Sequence, residues 1–132
     1  MSDIKSLPRS QIEELRKAVE QQQAAHWPED AYEKMAKLCS LFPTLRDVPG
    51  TNPWHVATFL KWMNSGAPGS GAWNAGLFVL GVWNPATDWG KEGLKIKCSS
   101  AGGRFNMFRA LGCWDREHEA AFREWLDFPF WP

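Results

Sequence analysis

Between residues 48 and 86 the chain carries a single charged side chain, Lys61. Charged groups stay in water unless they are paired, so a run this poor in charge has to supply much of a buried core. The run also holds Trp54, Trp62, Trp73 and Trp83, four of the chain's nine tryptophans; there is one tyrosine. Indoles are large and rigid. They serve either to bury much area per residue or to grip a partner at a surface. A chain of 132 residues is one domain's worth, so residues 1–132 are expected to form a single globular domain.

The flanks carry the charge. Residues 1–47 hold 7 basic and 8 acidic side chains, and residues 87–132 hold 7 of each, for a formal net charge of zero. That balance disfavours a nucleic-acid binder as a whole-chain reading, since such proteins carry a basic excess. It also gives weak colloidal repulsion, which leaves self-association open. Cys39, Cys98 and Cys113 are odd in number, widely spaced and without a CxxC pair. That argues against a disulfide scaffold and a zinc knuckle. With no apolar leader in the first residues and no stretch long enough for a bilayer, a cytoplasmic setting is expected, without membrane contact.

Periodicity predicts a mainly α fold, a compact bundle of about five or six helices. Ser10 and Glu13 form a capping box ahead of Ile12, Leu15 and Val19, on a helix running to about Ala25. Pro28, Glu29 and Asp30 start a second helix, with Ala31, Met35, Leu38 and Phe42 on one stripe. Thr51 or Asn52 caps a third, with Pro53 in its first turn. Ser70 caps a fourth over 71–83, apolar nearly all round and therefore central. Leu94, Ile96 and Cys98 alternate with lysines, which leaves room for one short β-hairpin near residues 94–108. Asp115 caps the last helix, through Leu126, and the FPFWP tail folds back onto the body.

The chemistry-bearing signals are thin. His55, Phe59 and Trp62 recur at the same spacing as His118, Phe122 and Trp125, 63 residues on. At i, i+4 and i+7 each triplet lines one side of a helix. Usually such stripes are packing; functionally, they would wall a pocket between helices 53–64 and 116–126. Trp27, Trp89 and Trp131 sit beside Pro, Gly or the chain end and are the indoles expected at the surface. Cys113, Asp115 and His118 are the one grouping near nucleophile–base spacing, and Cys113 reads more simply as a small buried hydrophobe. The glycine-rich segments 66–71 and 99–104 lack the lysine of a phosphate loop and read as turns. Residues 91–109 carry five cations against Glu92, interleaved with Trp89, Phe105 and Phe108.

These readings rank a non-enzymatic interaction module first, binding a protein partner or itself through a Trp-rich surface. A protein taking an apolar or cationic small molecule at His55, Trp62, His118 and Trp125 comes second. Weak single-stranded nucleic-acid contact through 91–109 comes third. No metal or cofactor is implied.

Overall fold

The computed structural model describes residues 8–65, 69–95 and 103–132, leaving aside the side chains at 19–25. Six α-helices are described: α1 (Arg9–His26), α2 (Ala31–Leu41), α3 (Val56–Ser65), α4 (Ser70–Trp83), α5 (Met107–Cys113) and α6 (Arg116–Asp127). A 3-10 turn, Pro43–Leu45, follows α2. The described residues form no strand; the hairpin expected near 94–108 falls partly on residues 96–102, outside them. From residue 107 the chain is helical instead, because Asn106 accepts the Arg109 N–H and caps α5.

The uncharged run becomes the centre of the molecule. Ten of the 14 residues of α4 are buried, and α2, α3, α5 and the 3-10 turn pack around it. Gly76 lies tight against α3: a Cβ there would stand 2.4 Å from the Met63 sulfur. Phe78, on the opposite side of α4, meets Phe122 and Trp125 of α6 edge-on, at 5.2 and 5.3 Å between ring centroids. So α4 separates α3 from α6.

Caps fix where the helices begin. Asp115 accepts the His118 N–H, as expected; Asp30, read with Pro28 and Glu29 as part of the second helix's first turn, instead precedes α2 and accepts the N–H groups of Tyr32 and Glu33. Three other caps differ. The Pro8 carbonyl accepts the Gln11 and Ile12 N–H groups, so α1 starts at Arg9 and Ser10 lies inside it. Gly69, not Ser70, precedes α4. Thr51 donates its hydroxyl to the Val48 carbonyl within a tight turn closed against Trp54, so α3 starts later than expected. Its cap is His55, whose Nδ1 accepts the Thr58 N–H at 3.2 Å.

The tail does fold back. Trp27 donates its indole N–H to the Phe128 carbonyl, and Trp125 donates to that of Phe130 at 3.2 Å. His26 stacks on Phe128 at 4.0 Å between centroids. Ile12 and Leu15 of α1, by contrast, are exposed, while the Val19 side chain lies outside the described residues. No described helix is long and apolar enough to cross a membrane.

Candidate functional site

Of the nine tryptophans, six are buried, Trp62 and Trp83 are half-buried, and Trp131 alone is exposed. Most of the indole excess is therefore core, and the broad Trp-rich surface expected from composition reduces to one ring. That ring stands at an open groove of about 440 Å³.

Three segments build the groove. On α4, Leu77, Phe78, Gly81 and Val82 supply the floor, at the i, i+1, i+4, i+5 spacing of one helix face. On the opposite side stand Phe122, Trp125 and Leu126 of α6, extended by Trp131, whose ring meets Trp125 edge-on at 5.2 Å. The third wall comes from two loop segments, Pro85, Thr87 and Trp89 on one and Arg104 and Phe105 on the other. Phe105 packs on Phe78 at 5.2 Å, which continues the aromatic surface around the floor.

Hydrogen bonds hold the loop wall in place. Asp88 accepts the Gly90 N–H, and the Trp89 carbonyl accepts that of Leu94. Asn64 at the end of α3 brackets the next residues, donating to the Gly93 carbonyl and accepting from the Lys95 N–H. Trp89 is 6% exposed and its indole N–H has no acceptor among the described residues. Trp54 and Trp73 share that feature, away from the groove. Arg104 is the one charged residue lining the groove, and it pairs with no described carboxylate. Chemically, the site offers flat aromatic faces, one cation and no acid.

Trp89, Trp125 and Trp131 come together here. The other four residues singled out in the sequence lie elsewhere. His55 is exposed and caps α3, while Trp62 is half-buried beside Phe59. Trp27 is buried under the tail, edge-on to Phe130, with Lys37 over its ring. No aromatic pair or hydrogen bond among the described residues joins α3 to α6, so the two histidine stripes do not face each other. Phe78 belongs to the groove without having been singled out, since it lies in a helix that reads as apolar on every side. Arg104 and Phe105 were grouped with Trp89 around the basic stretch 91–109, as a nucleic-acid contact rather than as a groove wall.

His118 has its own arrangement. It is 4% exposed. Its Nδ1–H donates to the Asp115 carboxylate and its Nε2 accepts the Thr44 hydroxyl, each at 2.7 Å. The tautomer follows from the carboxylate, which can only accept. Hydrogen bonds from the His118 backbone and then its ring hold the Asp115 carboxyl below its ordinary range. A hydroxyl, an imidazole and a carboxylate in series are the parts of a nucleophile relay, yet neither Thr44 nor His118 lines the groove. The series satisfies both nitrogens of a buried ring and ties the 3-10 turn to α6. Cys113 is exposed rather than buried, because it ends the short α5 at the surface, and its thiol donates to the Ala110 carbonyl and accepts from Asn74, each at 3.4 Å.

Of the aromatics interleaved with the basic stretch 91–109, Trp89 is buried and Phe105 half-buried; Phe108 is 82% exposed. Among the described residues no three His, Cys, Asp or Glu side chains converge as metal ligands would. No protein-family model, curated protein or solved structure matches the chain.

Proposed function

We propose that the chain is a binding protein that takes a small, flat, apolar guest in the groove between α4, α6 and the tail. One observation carries the reading: six aromatic side chains, from four parts of the chain, line a single groove of about 440 Å³. Drug-sized ligands occupy sites of roughly 300–1,000 Å³ with apolar walls and few polar groups. Guests would lie against Phe78, Trp89, Phe105 and Trp125, with Trp131 closing one side.

Gly81 supplies the test. It lines the groove, and a Cβ built on it meets nothing within 4 Å. Gly81→Leu should fill the groove from the floor without straining the fold. A helical glycine replaced by a better helix former should leave stability unchanged or raise it by up to about 1 kcal/mol. Calorimetric titration with 2-naphthylmethanol should show saturable one-to-one binding to the native chain and none to Gly81→Leu. Equal binding to both would place the guest elsewhere.

A second reading, a protein partner or a second copy of the chain, is favoured by α5. Met107, Phe108 and Leu111 are all exposed there, and clustered exposed apolar side chains commonly mark partner surfaces. Light scattering over a concentration series, on the native chain and Phe108→Glu, separates the cases. A dimer abolished by the substitution supports self-association through α5; a monomer at every concentration removes it.

A further inference from the structure

Resting on the groove reading, we infer that the guest is a small aromatic carboxylate whose anionic group is taken by Arg104. The lining has one charge and it is positive. No described carboxylate lies within ion-pair distance of that guanidinium. Asp88 stands next to Trp89 in the chain, but its carboxylate accepts the Gly90 N–H and it does not line the groove. Indole faces alone would also suit a cationic guest. A cation here, however, would meet Arg104 with no acid in the lining to offset it. An anion meets the opposite situation: guanidinium presents a planar fork that matches the two oxygens of a carboxylate.

The other features fit the same class. The groove's volume of about 440 Å³ suits a compact body and its walls are rings, which favours a planar skeleton over a long flexible chain. Arg104 is followed directly by Phe105, so the cation and one aromatic wall come from adjacent positions. A guest held by Arg104 therefore has its ring system delivered onto Phe105 and Phe78.

The test compares three probes of one shape on the full chain: 2-naphthoate, 2-naphthylmethanol and 2-naphthylmethylammonium, each titrated by calorimetry. We expect 2-naphthoate to bind at least about tenfold tighter than the alcohol, the scale of a hydrogen bond to a charged group. Arg104→Gln should lower the affinity for 2-naphthoate by at least about tenfold and that for the alcohol by much less. Arg104→Lys should keep part of the preference for the acid. Arg104 is exposed, so neither substitution should disturb the circular dichroism spectrum. Equal binding of acid and alcohol, or a preference for the ammonium probe, overturns the carboxylate and leaves the groove. Failure of all three probes overturns the groove reading, and the carboxylate with it.

Discussion

Gly103 passes so close to Gly90 that a Cβ on Gly103 would stand 2.2 Å from the Gly90 nitrogen and 2.9 Å from the Trp89 carbonyl carbon. The obstruction is backbone, not the free end of a side chain. Glycine is therefore what allows the segment bearing Arg104 and Phe105 to lie against the turn bearing Trp89, and one wall of the groove depends on that contact. Gly103→Ala must push the two segments apart. Overpacking of this kind costs about 1–3 kcal/mol, measurable as a lower urea midpoint at unchanged m-value. It should also weaken 2-naphthylmethanol binding. Full affinity in Gly103→Ala would mean that Trp89 is not part of the site.

The Thr44–His118–Asp115 series predicts a stability effect. Thr44→Val keeps the side chain's shape and leaves Nε2 of a buried imidazole without its partner. Loss of about 1–3 kcal/mol in urea unfolding is expected. No loss would mean that water replaces the hydroxyl.

Acidification tests the other end of the series. Because the folded protein holds the Asp115 carboxyl below its ordinary value, its contribution is fully present above the unfolded carboxylate's pKa of about 4. It is lost as pH falls through the lower, folded value. Asp115→Asn keeps a good capping acceptor without the charge. The urea midpoint of Asp115→Asn should therefore fall less steeply below pH 4 than that of the native chain. Parallel curves would remove Asp115 from the acid response.

Thiol labelling separates two cysteines by burial alone. Cys39 is fully buried, and burial pushes its thiol far above the ordinary range, whereas Cys113 is exposed. The thiolate is the reactive form. In a Cys98→Ser background, iodoacetamide at pH 8 should add one group, at Cys113, under native conditions. Cys39 should react only in denaturant; native labelling of both at similar rates would contradict the packing of α2 against α4.

How much of this was legible in the sequence differs by feature. Asp115 was readable as a cap because a carboxylate before a helix has one dominant local use, whereas Asp30 was placed within a helix start because Pro28 two residues earlier is itself a first-turn signal. The central place of α4 followed from its lack of charge, since an uncharged helix has nowhere else to go. The Ser10–Glu13 box failed because the Pro8 carbonyl, two residues earlier, already opens the helix. Thr51 failed because a nearby carbonyl competed for its hydroxyl. Trp27, Trp89 and Trp131 were read as surface indoles because none belongs to a helix stripe, but only Trp131 is exposed; Trp27 is covered by the tail and Trp89 is packed into the loop wall. Trp125 was picked out for an echo with Trp62, and that pairing is not what the fold makes: periodicity says which residues share a face, not which helix the face meets. With α4 lying between α3 and α6, the ring that Trp125 meets across the helix interface is Phe78.

The most direct measurement is the indole region of the proton–nitrogen correlation spectrum, nine N–H signals assigned by substitution, followed during titration with 2-naphthoate. Binding in the groove predicts shifts at Trp89, Trp125 and Trp131, with Trp27, Trp54 and Trp73 unmoved. Saturation that leaves Trp89, Trp125 and Trp131 in place, or a spectrum that does not change at all, would contradict it.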